Sequence, residues 1–123
     1  MTSSARAAAA QARLASTPVA AVYPLYRAKV EKKGRSKEEL DAVLRWLTGF
    51  DDATLGHHLA TGTTFATFFD VATLNPAAMK VTGVICGVRV EHVEDPLLRR
   101  IRILDKLVDE LARGRPLGKV LRA

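Results

Sequence analysis

Cysteine is nearly absent from this sequence. The single thiol in 123 residues, Cys86, leaves no partner for an internal disulfide and no thiol set for a multi-cysteine zinc site. Such a chain suits a reducing compartment, and the cytoplasm is the expected location. Long apolar runs are missing too: none approaches the ~20 residues that cross a bilayer, so no membrane is expected as a partner. No G-x-G-x-x-G, P-loop or H-E-x-x-H spacing occurs, which removes the usual signatures of dinucleotide, nucleotide and zinc chemistry. Neither a cofactor nor a metal is expected. Acid is absent from residues 1–16, where Arg6 and Arg13 stand among Ala and Ser with only Leu14 to bury. That stretch is expected to be a disordered N-terminal arm; an organelle transit peptide shares the bias and is the alternative.

What is present is 48% apolar residues, enough for one core in a chain that buries about two-thirds of its unfolded surface. The punctuation is helical throughout residues 20–122, which are read as a single domain. Pro24 in a first turn and Gly34 past the end frame a helix over about 22–33. Ser36 and Glu39 form a capping box ahead of Leu40, Val43, Leu44 and Leu47, closed by Gly49. Asp51 or Asp52 opens a third helix ending at Gly62, and Thr63 or Thr64 a fourth bearing Phe65, Phe68 and Phe69. Asp95-Pro96 opens the longest helix, with Leu97, Ile101, Leu104, Val108 and Leu111 at steps of four, three, four and three up to Gly114. A short turn over 116–122 follows. Asn75-Pro76 favours a helix over 76–86 with 88–93 extended; the β-branched run through 81–93 makes an extended or β segment the alternative. The expected class is all-α, six or seven short helices.

The formal charge of +6 is polarised: residues 27–37 carry +5, 38–98 carry −6 and 99–123 carry +5. Should the first and last long helices lie side by side, their bases merge into one face able to meet phosphates. Within the last helix Arg102 with Asp105, and Asp109 with Arg113, have the spacing of compensating pairs.

Other candidates have plainer explanations. Leu44–Leu59 has a helix-turn-helix rhythm, yet Arg45 stands where that motif prefers a small side chain, and its second helix opens on Asp51-Asp52, which repel phosphates. A plain helical hairpin is expected, and any nucleic-acid binding should be weak and non-specific. His57 and His58 diverge by about 100° on a helix, so they do not share an ion readily; His58 is expected to pack beside Leu55 and Leu59, with His57 solvated. Trp46 is expected in the core. Cys86, among Val84, Ile85 and Val88, is expected to be a buried structural thiol. Tyr23 and Tyr26 share a helix face, either as core and rim packing or as a stacking surface.

Several blocks resemble a known family. Tyr23-Pro24-Leu25-Tyr26, Lys29 through Arg35, Arg45 through Gly49, Thr82 through Glu91, Glu94 through Leu97 and Leu104 through Ala112 are similar, in order, to domain of unknown function 2200, a prokaryotic family without assigned activity. The resemblance covers about residues 20–122. It implies a stand-alone bacterial protein and carries no catalytic residue with it. Shared polar positions mark a tentative ligand group: Tyr23, Tyr26, Arg35, Arg89, Glu91 and Arg102, with Tyr26, Arg89 and Arg102 placed to hold a small anionic or phosphate-bearing ligand. The composite expectation is a non-enzymatic helical binding or adaptor domain that meets a protein or anionic partner through its basic face. The alternative is a small enzyme or small-molecule-binding protein built on a Tyr/Arg/Cys/Glu cluster. The two differ in geometry, since the second needs a concavity where those groups converge.

Overall fold

The computed structural model describes residues 9, 10 and 12–122. Of the arm expected over 1–16, residues 9, 10 and 12–16 are helical and Leu14 packs against the core; residues 1–8 and 11 lie outside the described residues. The named helices are α1 (Val19–Lys32), α2 (Lys37–Thr48), α3 (Asp52–Thr61), α4 (Phe65–Val71), α5 (Pro96–Ala112) and α6 (Leu117–Val120). Between α4 and α5 come a 3-10 turn, Pro76–Lys80, a small antiparallel hairpin of β1 (Val84–Ile85) and β2 (Val88–Arg89), and a second 3-10 turn, Val90–His92. The chain is a mostly helical single domain.

Helices α2, α3, α4 and α5 each start where a side-chain oxygen takes up an orphaned N–H. Ser36 and Glu39 close a complete capping box on α2, Asp51 accepts from Thr54 N at 2.7 Å on α3, and Asp95 accepts from Leu98 N at 2.8 Å on α5. Two helices end alike. At the close of α1 the Gly34 and Arg35 amides bond back to the Glu31 and Val30 carbonyls at 3.0 and 2.9 Å; at the close of α5 Gly114 and Arg115 do the same to Leu111 and Glu110.

The core is built on α5, which packs against α1, α2, α4, α6 and the hairpin. Because it is surrounded, its buried face is wider than one stripe: Ile103 and Leu107 are sealed beside Ile101, Leu104, Val108 and Leu111, while Leu97 is half-buried. From α4, Phe65, Phe68 and Phe69 enter the same core. Full burial of a side chain of that size is worth roughly 1.5–3 kcal/mol. Trp46 is partly buried against it.

Three expectations need correction. Helix α1 begins at Val19, so Pro24 sits inside it rather than in its first turn; the ring removes the N–H that would have met the Ala20 carbonyl. The start is set instead by a bridge to the α3–α4 junction, where Val19 N donates to Thr63 O at 2.9 Å and Phe65 N to Thr17 O at 3.0 Å. Second, no α-helix spans 76–86. The Asn75 cap supports one 3-10 turn, after which Gly83, at φ +111, turns the chain into the hairpin. Strand pairing stops at Arg89, so 88–93 is extended only at its start. Third, Cys86 is exposed. With φ +52 at Cys86 and +77 at Gly87, the two residues have the φ signs of a type I′ hairpin turn, so the tip points away from the core that Val81 and Val90 enter.

Candidate functional site

Helices α1 and α5 do lie side by side, and their bases meet. Lys29 Nζ reaches Asp109 Oδ1 at 3.1 Å, and Arg113 Nε holds the other oxygen of the same carboxylate at 2.8 Å. Burial alone would raise Asp109, but the two cations outweigh it and hold the carboxyl below its usual range. Lys29, Lys33, Asp109, Ala112 and Arg113 line an open cleft of about 560 Å³. One acid thus serves two cations there, while Lys32 and Lys33 are exposed and have no carboxylate within 4.0 Å among the described residues. At the next residue, Glu110 is likewise shared by Arg115 at 3.3 Å and Arg122 at 2.6 Å. This end of the molecule keeps a surplus of positive charge.

A second concavity, about 230 Å³, opens where the hairpin leans on α1 and α5. Val22, Leu25, Ile85 and Val108 supply its apolar wall; Tyr26, Lys29, Cys86 and Asp105 supply its polar groups. Tyr26 is buried and donates its hydroxyl to Asp105 Oδ1 at 2.6 Å, and Arg102 Nη1 holds Asp105 Oδ2 at 2.8 Å. Burial, followed by the neighbouring Asp105 charge, pushes the Tyr26 phenol well above its ordinary range. The hairpin is pinned from below. Glu91 accepts from Gly83 N at 2.9 Å, which holds its carboxyl below its ordinary range, and Lys106 Nζ donates to the Val84 carbonyl at 3.3 Å. Gly83 takes φ +111, a conformation that favours glycine, and a Cβ there would also press on Lys106 Cε at 3.1 Å.

The six tentative ligand residues do not gather in one place. Tyr26 and Arg102 meet through Asp105. Arg89 and Glu91 pair on the hairpin at 3.6 Å, with Arg89 over half exposed. Tyr23 faces α2, donating to Asp41 at 2.6 Å, and burial together with that acceptor pushes its phenol up to about 12. Arg35 donates to the carbonyls of Leu111 and Arg115 and to Glu39, so it ties the α1–α2 turn to the far end of α5. Nine residues of helix place that end roughly 14 Å from Arg102. Asp41 was not singled out in the sequence, which offers no local sign of a partner 18 residues away. His58 sits half-buried against Phe50 and Phe68, with Nδ1 2.9 Å from Thr63 Oγ1, while His57 is exposed. Among the described residues no three of His, Cys, Asp and Glu come together as metal ligands, and no helix is long and apolar enough to cross a membrane.

A central helix clasped by shorter helices and a pinned hairpin, with paired Tyr–Asp contacts at its flank, defines a small helical domain without a cofactor motif. The chain belongs to the family described as "Uncharacterized protein conserved in bacteria (DUF2200)", whose model matches residues 13–122. It is similar to the solved crystal structure of the uncharacterized protein SP1917, with 43% identity, a TM-score of 0.83, and coverage of 89% of this chain and 90% of that one. No curated protein matches it.

Proposed function

We propose that this domain is a non-enzymatic binding module that meets an anionic partner through the α1–α5 cleft, and that it works in the cytoplasm. The observation that carries this reading is the charge arithmetic of the cleft: among the described residues Asp109 alone answers Lys29 and Arg113, Lys33 lines the same cleft without an acid, and Lys32 stands next to it on α1, also without one. Bases along an open cleft contact phosphates or carboxylates without reading sequence. The test is titration of the full chain against labelled duplexes of unrelated sequence and against polyglutamate, at two salt concentrations. Binding is expected to be weak, to fall steeply with salt and to vary little with duplex sequence. The Lys32→Glu, Lys33→Glu double variant should lose about tenfold, on the order of two phosphate contacts. No binding at low salt, or an unaffected double variant, overturns the reading; tight duplex binding that survives 0.2 M salt and discriminates by more than about 4 kcal/mol replaces it with a sequence-specific regulator.

The hairpin concavity supports a second reading, a small-molecule site or small enzyme built on the Tyr26, Arg102 and Cys86 group, because Tyr26, Lys29, Cys86 and Asp105 line one depression. Tyr26→Phe and Asp105→Asn would each weaken a ligand held there while leaving the polyanion titration unchanged.

A further inference from the structure

Beyond the basic cleft, we infer that the cavity between the loop after α4, the Pro76–Lys80 turn and the N-terminal half of α5 is a binding site for a small apolar monocarboxylate. The cavity measures about 250 Å³ and is lined by Leu74, Met79, Glu94, Pro96, Arg99, Arg100 and Ile103. Four of these side chains are apolar. Ile103 is fully buried at the floor, whereas Met79, at 49% exposed, lies open at the wall. A volume below the ~300–1,000 Å³ of drug-sized pockets suits a compact ligand.

The head group follows from the arginines. The Nε of Arg99 is sealed from solvent and has no acceptor, and no other bond from the Arg99 side chain exists among the described residues. Arg100 donates through Nη1 to the Phe69 carbonyl at 3.0 Å and has no carboxylate partner among the described residues. Two guanidiniums consecutive in sequence therefore border the cavity without an ion pair among the described residues, against the single acid Glu94 of its lining, and one of them is already stripped of water along an edge. A cation that has given up hydration without gaining an acceptor has most to recover from an anion. Guanidinium takes a planar carboxylate through two parallel N–H bonds, which favours a carboxylate over a spherical anion. Because Nε itself is sealed, the ligand engages the outer Nη groups while its tail lies along Leu74, Met79 and Ile103. Glu94, exposed on the rim, is the one acid of the lining and has no ion pair among the described residues; it opposes the ligand's charge and tunes the affinity.

The experiment is a titration of the full-length, uniformly labelled chain with benzoate, followed by the Arg Nε–H and Met methyl resonances, with benzyl alcohol and phosphate as comparison probes. Benzoate should shift the Arg99 Nε–H and Met79 methyl signals saturably, with an affinity on the order of 0.1–1 mM for so few atoms. Benzyl alcohol and phosphate should each bind at least tenfold more weakly, Arg99→Gln should lose about tenfold, and Glu94→Gln should gain severalfold. Shifts that never saturate, or benzyl alcohol or phosphate matching benzoate, overturn the inference. So does a folded Arg99→Gln chain that binds unchanged; should that variant fail to fold, the three probes on the natural chain decide alone.

Discussion

Cys86 holds a backbone conformation that suits asparagine or glycine better. At φ +52 its Cβ crowds the following carbonyl, a cost of about 1–2 kcal/mol for an L residue, and the thiol gains no buried contact in return because it is exposed. Cys86→Asn keeps a side chain that tolerates the left-handed region and is common in such turns. The variant is expected to be more stable by roughly 0.5–1 kcal/mol in a urea melt. In the native chain the thiol should react with a maleimide about as fast as after unfolding, since nothing covers it. Leu104 is the opposite case: sealed on α5 at the centre of the core. Leu104→Ala removes packed methyls from a site walled by neighbouring helices, and roughly 2–5 kcal/mol of stability should go with them. A loss under about 1 kcal/mol in the same melt would mean that the core can collapse around the gap.

At the level of elements, side-chain caps decide where α2, α3, α4 and α5 begin, and left-handed glycines close α2 and α3. Ser36→Ala should cost about 1 kcal/mol, because the Glu39 amide loses the Ser36 hydroxyl that accepts from it. Gly49→Ala should cost more, since the residue sits at φ +75 and a Cβ would come within 3.1 Å of the Thr73 carbonyl; thermal melts of the two variants would show that order. These same signals made α2, α3, α4 and α5 readable from sequence, for caps and C′ glycines are local chemistry. The start of α1 was not readable, because it is placed by a bridge to Thr63 and Thr64, some 45 residues away. The stretch 76–93 was ambiguous because its cap favours a helix while its β-branched residues favour a strand. The turn that settles it carries cysteine where asparagine is the usual sign. The candidate sites were legible in part. Arg102 with Asp105, Asp109 with Arg113 and Asp95 as a cap follow from helical spacing and are found. Tyr23 with Asp41, Tyr26 with Asp105 and Arg35 with Leu111 join positions 18, 79 and 76 residues apart, and only packing brings them together.

For the whole molecule, the titrating groups define a stability plateau whose two edges have different owners. Glu39, through its bond from Arg35, Asp51, through the Thr54 amide, Glu91, through the Gly83 amide, and Asp109, through Lys29 and Arg113, are all held below their ordinary values in the folded chain. A depressed carboxyl stabilises the fold above the unfolded value, near 3.8–4.5, and that contribution disappears as pH falls through the folded one. His58 is also lowered from 6.5, chiefly by burial and then by His57, so the fold prefers its neutral ring. Its contribution is complete above 6.5 and begins to decline as pH drops below that, before the carboxylates respond. On the alkaline side Tyr23, pushed up to about 12, and Tyr26, also raised, keep their protons when folded. Both stabilise the chain below 10; Tyr23 releases its contribution between 10 and about 12, and Tyr26 loses its own as pH rises above 10. Urea midpoints measured from pH 3 to pH 12 should therefore be flat between about 6.5 and 10, fall gently just under 6.5, fall steeply below about 4.5, and fall again above 10. His58→Phe keeps the ring packing against Phe50 and Phe68 but cannot take a proton. It should erase the gentle fall below 6.5 and leave both other edges in place; a fall that persists in the variant would assign that edge to another group.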